Sequence, residues 1–280
     1  MLLQRFPAGA ERPSFFQKRI PDSAPEWLET AIVSTPNGTT SRALVAADLA
    51  HVAWAVNLGC LGFHIWPYLA ADPAHTDELR MDLDPQPGTE FTHVREAATE
   101  LNALPDELAI TGYPKTTGNR GLHVYVRLEP RWDSYQVRSA AVAAARELER
   151  RRPDLITASG GRRSAARASS STSTRRAAQD GVRRMVRARP PRAQVSTPLW
   201  WEEIERFHPD DLTIESLPAR IGVGGDPWMG MNDDAQSLEP LLELHERDLA
   251  NGLMDAPWPP VYPEQPDEPP RVSRGRAKKT

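Results

Sequence analysis

Two aspartates, Asp82 and Asp84, stand one residue apart in the apolar stretch MDLDP. On a β-strand, alternate residues point to the same face, so the two carboxylates would lie about 7 Å apart on one side. Two negative charges placed this way repel each other unless a cation lies between them. Carboxylate oxygens are the ligands that Mg²⁺ and Mn²⁺ prefer. The pair therefore indicates a divalent metal site, with a solvated strand end as the alternative.

A second polar stretch, KTTGNRGLHVYV at residues 115–126, has the composition of a loop that binds an anion. Its two glycines let the backbone approach a ligand closely. Thr117 offers a hydroxyl group, and Arg120 offers a planar fork that suits phosphate. His123 lies three residues beyond Arg120, where an apolar strand begins. The stretch predicts a phosphate-binding loop, with an exposed hairpin of ordinary turn residues as the alternative.

Four further residues are candidates for ligand contact. His64 lies in the apolar stretch GFHIW, where a histidine is either a ligand or a packed core residue. Phe15 and Phe16, beside Lys18, are suited to stack on a base and to touch a phosphate. Because adjacent residues on a strand face opposite sides, at least one of the two phenylalanines is predicted to lie in the core.

The composition is that of a soluble globular protein. The 280 residues are 26% charged and 39% hydrophobic. The single cysteine, Cys60, excludes an internal disulfide framework and a cysteine-built zinc site, fits a reducing cytoplasm, and is expected to be a buried structural thiol. No apolar run approaches the roughly 20 residues of a membrane span, and the N-terminal stretch lacks the apolar core of a signal peptide. We expect no membrane partner.

Predicted strands and helices alternate along the chain, which indicates an α+β fold with α/β-type mixed sheets and flanking helices. A hairpin turn is predicted at Asn37-Gly38. The predicted helices cover residues 48–59, 91–104, 133–150 and the stretch SLEPLLELHERDL. In the first of them, capped by Asp48, the face predicted to be buried carries Leu49, Val52, Ala53 and Val56.

This pattern stops abruptly in residues 158–192. The segment holds ten arginines and one acidic residue, a net charge of +9, although the whole chain has a net charge of −4. From Thr157 to Pro198 there is no Leu, Ile, Phe, Trp or Tyr. Such a composition cannot bury a core, so one explanation is a disordered linker. Residues 256–280 are a proline-rich basic tail.

These motifs, in this order, resemble the primase-polymerase domain of bacterial ligase D and its stand-alone relatives, in the archaeo-eukaryotic primase superfamily. The segments that carry the resemblance are FFQKR, NLGCLGFHIWP, DELRMDLDP, KTTGNRGLHVYV, RRPDLIT, VRARP, VSTPLWWEE and SLEPLLEL. The resemblance implies one catalytic platform: residues 1–157 form part of it, residues 158–192 are aberrant or disordered, and residues 193–255 are the C-terminal part of the same polymerase domain.

The resemblance also implies an activity and a set of site residues. The activity is the addition of nucleotides, often ribonucleotides, to primer 3′ ends during the repair of DNA breaks by end joining. Metal binding, of Mn²⁺ or Mg²⁺, falls on Asp82 and Asp84. DNA contact falls on Phe15, Phe16 and Lys18. The incoming nucleotide (NTP or dNTP) is contacted by His64, Thr117, Arg120, His123 and Arg187. Threonine at 117 replaces the family's usual serine and keeps the hydroxyl.

The chain departs from the family pattern at two places. It begins inside the pattern, at LLQRFP, without the preceding segment that holds the DNA 5′ phosphate; we expect a misassigned start or a truncation. In addition, a strand with the third metal-binding aspartate is missing. Codons for Val-Phe-Val-Asp-Phe-Asn-Gln, translated one base out of register, give the sequence of residues 169–175. We interpret the segment as a frame error that places Thr172 where the third aspartate belongs.

Three functions are therefore open. The first is a metal-dependent polymerase of broken DNA ends, impaired because two carboxylates must hold two cations. The second is a non-catalytic remnant that binds nucleotide and DNA. The third is a D-x-D phosphohydrolase, which the stretch TGNRGLHV disfavours. The resemblance implies break-end-binding Ku and a separate DNA ligase as partners, and a location in the cytoplasm at the nucleoid.

Overall fold

The computed structural model describes residues 1–34, 39–85, 89–158 and 194–256, which contain eight strands and five α-helices. The strands are β1 (Leu2–Arg5), β2 (Phe15–Gln17), β3 (Thr30–Ser34), β4 (Thr40–Leu44), β5 (Cys60–His64), β6 (Thr76–Leu83), β7 (Tyr113–Thr116) and β8 (Leu122–Trp132). The helices are α1 (Leu49–Asn57), α2 (Phe91–Glu107), α3 (Ser134–Arg151), α4 (Leu217–Gly224) and α5 (Glu239–Ala250). The predicted mixture of small sheets and flanking helices is confirmed.

The central sheet has the strand order β6-β8-β7, and both pairs are antiparallel. Alternate residues of β6 and β8, among them Leu79, Met81 and Val124, face a core formed with α2 and α3. The intervening residues form the opposite face of the sheet. Because Asp82 pairs with His123, and His123 pairs with Lys115, these three residues form one row across that face.

The chain beyond residue 194 packs on the same core as the sheet. Leu199, Ile204, Leu212, Leu238 and Leu241 are buried together with the apolar side chains of β6, β8, α2 and α3. Residues 195–199 lie along the edge of β7, where backbone bonds join Thr116 N to Thr197 O (2.9 Å) and Leu199 N to Pro114 O (3.0 Å). The C-terminal part thus supports the strand that leads into the predicted phosphate-binding loop.

A second sheet, β2-β1-β5, carries the N-terminal candidates. Its buried face packs with Ile20, Leu28 and Leu44 in a separate apolar cluster that includes Cys60. Burial raises the pKa of the Cys60 thiol, as expected for a structural cysteine rather than a nucleophile. Strands β3 and β4 form the predicted hairpin, whose Asn37-Gly38 turn lies outside the described residues.

The predicted buried face of α1 is wrong, although its N-cap is confirmed. Asp48 accepts a bond from the backbone N–H of His51, but Leu49 is 80% exposed and the buried residues are His51 and Ala55. The His51 ring is held on both sides: Nδ1 lies 2.6 Å from Asp48 Oδ1, and Nε2 accepts from Glu29 N at 2.9 Å. The bond from the Glu29 backbone therefore determines which face of α1 is buried. The spacing of apolar residues in the helix does not indicate that bond.

Helix α3 begins at a capping box on Asp133 and is joined to α5 by ion pairs. Glu147 accepts bonds from Arg150, from Arg151 (3.2 Å) and from Arg247 of α5 (2.8 Å). Burial alone would raise the pKa of Glu147, but these three bonds outweigh it and lower the pKa to about 2. The carboxylate therefore stabilises the α3–α5 contact whenever it is ionised.

Glu147→Gln is expected to lower the free energy of unfolding at pH 7 by about 1–2 kcal/mol. The folded pKa lies below the ordinary value of 4.5. The contribution of Glu147 is therefore fully present above about pH 4.5 and is lost as the pH falls toward 2. Urea titrations of both proteins between pH 7 and pH 3 check this, and the difference between their free energies of unfolding should narrow as the pH falls below about 4.5. The control is Glu149→Gln, because glutamine still accepts the bond from the Thr157 hydroxyl.

No helix among the residues described here is long and apolar enough to cross a bilayer.

Candidate functional site

The buried polar row of the central sheet brings two predicted site residues into direct contact. Asp82 Oδ1 lies 3.0 Å from His123 Nε2, and both side chains are about nine-tenths buried. The contact follows from the pairing of β6 with β8, which sets the two residues opposite each other. An imidazole and a carboxylate at this separation can share a proton or bind the same ligand.

Asp84 lies just beyond the end of β6 and is exposed, whereas Asp82 is 6% exposed. The loop that joins β7 to β8, residues 117–121, closes over this end of the strand. A Cβ atom on Gly121 would lie 2.7 Å from Leu83 O and 3.0 Å from Asp84 Oδ1. Glycine is thus required at this position for the loop to reach the aspartates.

The β7–β8 loop is held by a bond within the loop and by close packing against Ser196. The Thr117 hydroxyl accepts a bond from Gly121 N (3.1 Å), which leaves its own proton available for a ligand oxygen. Gly118 has φ +69°, and a Cβ there would lie 2.9 Å from Ser196 N. Arg120 is exposed on the same loop. The predicted phosphate-binding residues therefore lie beside the carboxylate pair.

His64 ends β5 and lies against the edge of Phe16, with ring centroids 5.3 Å apart. The pairing of β1 with β5 and β2 puts Gln4 opposite both Gly62 and Phe16, on the face that also holds His64. A Cβ at Gly62 would lie 2.9 Å from the Gln4 Cβ. His64 is therefore a buried residue at a sheet edge that also touches an exposed aromatic ring.

The prediction that Phe15 or Phe16 lies in the core is wrong. Their exposed fractions are 46% and 49%, because β2 is a three-residue edge strand with solvent on both sides. The guanidinium carbon of Arg5 lies over the Phe15 ring, 5.3 Å from the ring centroid. Lys18 is exposed directly after the strand. Two half-exposed rings and a lysine thus share one sheet edge.

Three residues near the site had no predicted role. Tyr125 is buried, two residues after His123, and its ring centroid lies 4.9 Å from that of Trp228. Lys115 Nζ lies 5.9 Å from the Tyr125 ring centroid and 5.6 Å from the Trp228 ring centroid. The Trp228 indole donates to Pro114 O at 3.0 Å. Alternation along β8 places Tyr125 on the same face as His123. The contact between Tyr125 and Trp228 depends on long-range folding, which local sequence does not indicate.

The carboxylates at the end of β6 have the donor chemistry of a divalent cation site, and Gly121 keeps the space beside Asp84 free of a side chain. In the four described ranges, no group of three or more His, Cys, Asp or Glu converges as a metal site. Thr172, predicted at the place of the third aspartate, and Arg187, predicted to bind nucleotide, lie outside the described residues.

Comparison with known proteins identifies the family of the chain. A model of the LigD primase-polymerase domain matches residues 1–228. The chain belongs to this family. The match extends from β1 to Trp228, so it includes the sheet with Asp82 and the whole β7–β8 loop.

Individual LigD relatives are similar over large parts of the chain. The bifunctional non-homologous end joining protein LigD of Bacillus subtilis is 29% identical over 86% of this chain and 39% of its own length. The multifunctional LigD of Mycolicibacterium smegmatis is 33% identical over 55% of this chain and 20% of its own. The chain thus spans about a fifth to two fifths of these relatives.

The fold is also that of a solved LigD domain. The polymerase domain of Mycobacterium tuberculosis ligase D, determined in complex with DNA, superimposes with a TM-score of 0.74 and 24% identity. The match covers 84% of this chain and 85% of that one. The primase-like fold is therefore confirmed.

Proposed function

We propose that this chain is a DNA-repair nucleotidyltransferase of the LigD polymerase type, which adds nucleotides or ribonucleotides to primer 3′ ends during end joining. The observation that carries the proposal is the convergence of Asp82, Asp84, His123 and the β7–β8 loop at the end of β6. A carboxylate pair beside a phosphate-binding loop is the arrangement that phosphoryl transfer needs.

Asp82 and Asp84 would hold Mn²⁺ or Mg²⁺. When bound, such ions neutralise the charge that develops on the triphosphate and on the attacking 3′ oxygen. The buried Asp82 provides a fixed ligand, because its strand is paired along its length with β8. The exposed Asp84 lies on the solvent side of the site.

The nucleotide would lie between the β7–β8 loop and the end of β5. Thr117 donates its hydroxyl proton to a phosphate oxygen, and Arg120 pairs with the triphosphate charge. His123 of β8 and His64 at the end of β5 would contact it from the two sheets, and Arg187 is the further predicted contact. Phe15 and Phe16 would stack on bases at the DNA end while Lys18 meets a phosphate, which their exposure supports.

Activity in this chain is expected to be weak. Two carboxylates would hold ions of total charge +4, and a threonine hydroxyl at 172 is a poor substitute for a third carboxylate. Break-end-binding Ku and a separate ligase would supply end recognition and sealing at the nucleoid. Resequencing the gene tests the origin of the segment, since an intact frame in clean reads contradicts the frame error.

Primer extension on DNA ends with a templating overhang, in Mn²⁺ or Mg²⁺, tests the proposed activity. We expect slow addition of nucleotides. The alternative, a non-catalytic binding remnant, rests on the ten arginines of residues 158–192. It predicts DNA binding whose affinity falls steeply with salt, with a slope near −0.9 per phosphate contacted, and no extension in either metal. Strong extension abolished by Asp82→Ala would instead show a third ligand, with Asp180 the first residue to test.

A further inference from the structure

Arg80 lies two residues before Asp82 on β6 and therefore points to the same face of the sheet. It is 4% exposed, and its position opposite Tyr125 in the β6–β8 register puts it directly beside the Asp82–His123 row. A buried guanidinium is costly unless its donors are bonded. The groups that it bonds therefore indicate what it holds.

Two of those groups are backbone carbonyls that follow His64 in the chain. Arg80 Nη1 donates to Ile65 O at 2.9 Å, and Nη2 donates to Trp66 O at 3.2 Å. These residues belong to the chain that leaves β5, in the other sheet. Arg80, on the strand that carries Asp82, thus binds the backbone of the two residues that follow His64, which is a predicted nucleotide contact.

The guanidinium is itself braced so that its fork has one orientation. Glu78, on the same strand face, accepts bonds from both Nε (2.7 Å) and Nη2. The Tyr125 ring lies beneath it, with its centroid 5.3 Å from the guanidinium carbon. Because the guanidinium is planar and is contacted on two sides, it fixes the position of residues 65–66 relative to β6.

We propose that Arg80 is a positioning residue that sets His64 at a fixed place relative to Asp82, and so aligns the nucleotide with the metal-binding carboxylates. The inference rests on the proposed function, because it assumes that His64 contacts the nucleotide. Arg80 is proposed to act through the backbone that follows His64, to which it donates, rather than by contact with the nucleotide. A merely structural role predicts instead that its loss lowers stability without changing how much His64 contributes.

A double-mutant cycle on nucleotide binding separates these roles. Binding of ATP in the presence of Mn²⁺ is measured by calorimetry for the wild type, Arg80→Met, His64→Ala and the double variant. We expect Arg80→Met to weaken binding about tenfold in the wild-type background and less than twofold in the His64→Ala background. Arg80→Lys keeps the charge but not the two-carbonyl fork, and is expected to lie close to Arg80→Met.

The matched control is Arg127→Met. Arg127 lies on the same sheet face and pairs with Asp77 of β6 at 2.8 Å, at the other end of that strand. Its loss should change ATP affinity less than twofold in either background. If Arg80 and His64 contribute additively, or if Arg127→Met acts as Arg80→Met does, the positioning role is wrong while the proposed function stands. If the wild type binds no ATP with Mn²⁺, the proposed function falls, and the positioning role falls with it.

Discussion

Asp82→Asn is expected to lower the Mn²⁺ affinity of the chain by about a hundredfold or more. The substitution keeps the size of the side chain but removes the charge of the buried carboxylate, which lies 3.0 Å from His123. Loss of a residue that merely supports a metal ligand already costs 10–100-fold in affinity, so loss of a direct ligand should cost at least as much. Electron paramagnetic resonance of free Mn²⁺ during a titration measures the affinity directly.

Asp77→Asn is the matched control for this measurement. Asp77 is an equally buried aspartate of β6 (5% against 6% exposed), and it pairs with Arg127 rather than with the site. Burial raises the pKa of Asp77, so its ionised form depends on that arginine. We expect Asp77→Asn to lower thermal stability and to leave Mn²⁺ affinity within twofold of the wild type. Equal losses in the two variants would contradict the assignment of the metal to Asp82.

Gly121→Ala is expected to reduce the catalytic efficiency of primer extension by about a hundredfold. The added methyl group would lie 2.7 Å from Leu83 O, a backbone atom that cannot yield by rotating a side chain. The β7–β8 loop must then move away from Asp84, and a shift of about 1 Å at a reacting centre has an effect of this size. We also expect a loss of about 1–3 kcal/mol in the free energy of unfolding.

Gly222→Ala controls for the general effect of replacing a glycine. Gly222 lies in α4, and a Cβ there would meet no heavy atom within 4 Å outside the backbone of that helix. Alanine favours helix by roughly 0.5–1 kcal/mol over glycine, so this variant should be unchanged or slightly more stable. Single-turnover extension rates and thermal melts of both variants provide the comparison. An unchanged rate for Gly121→Ala would show that the loop does not hold the nucleotide.

Local signals predicted much of the site. The alternation in MDLDP and the glycines of TGNRG are short-range features, and the structure places both at the same end of the sheet. The Asp48 cap of α1 was equally visible, because capping depends on the three residues that follow. The polymerase resemblance, carried by the same motifs, is confirmed by the family match.

Long-range contacts account for what the sequence did not indicate. The buried face of α1 depends on the Glu29 backbone, 22 residues away, and the exposure of Phe15 depends on β2 being a short edge strand. Arg80 had no predicted role. Its partners are carbonyls 14 and 15 residues earlier, which carry no side-chain signature. The approach of Trp228 to Tyr125 spans more than 100 residues.

The most direct test of the proposed nucleotidyl transfer is incorporation of a single nucleotide on a DNA end whose templating base is varied, with Mn²⁺, under single-turnover conditions. We expect slow incorporation of the complementary nucleotide by the wild type and by Asp77→Asn, and none above background by Asp82→Asn. Incorporation by Asp82→Asn at the wild-type rate, or no incorporation by a wild-type chain that binds both Mn²⁺ and DNA, would contradict the proposed transfer.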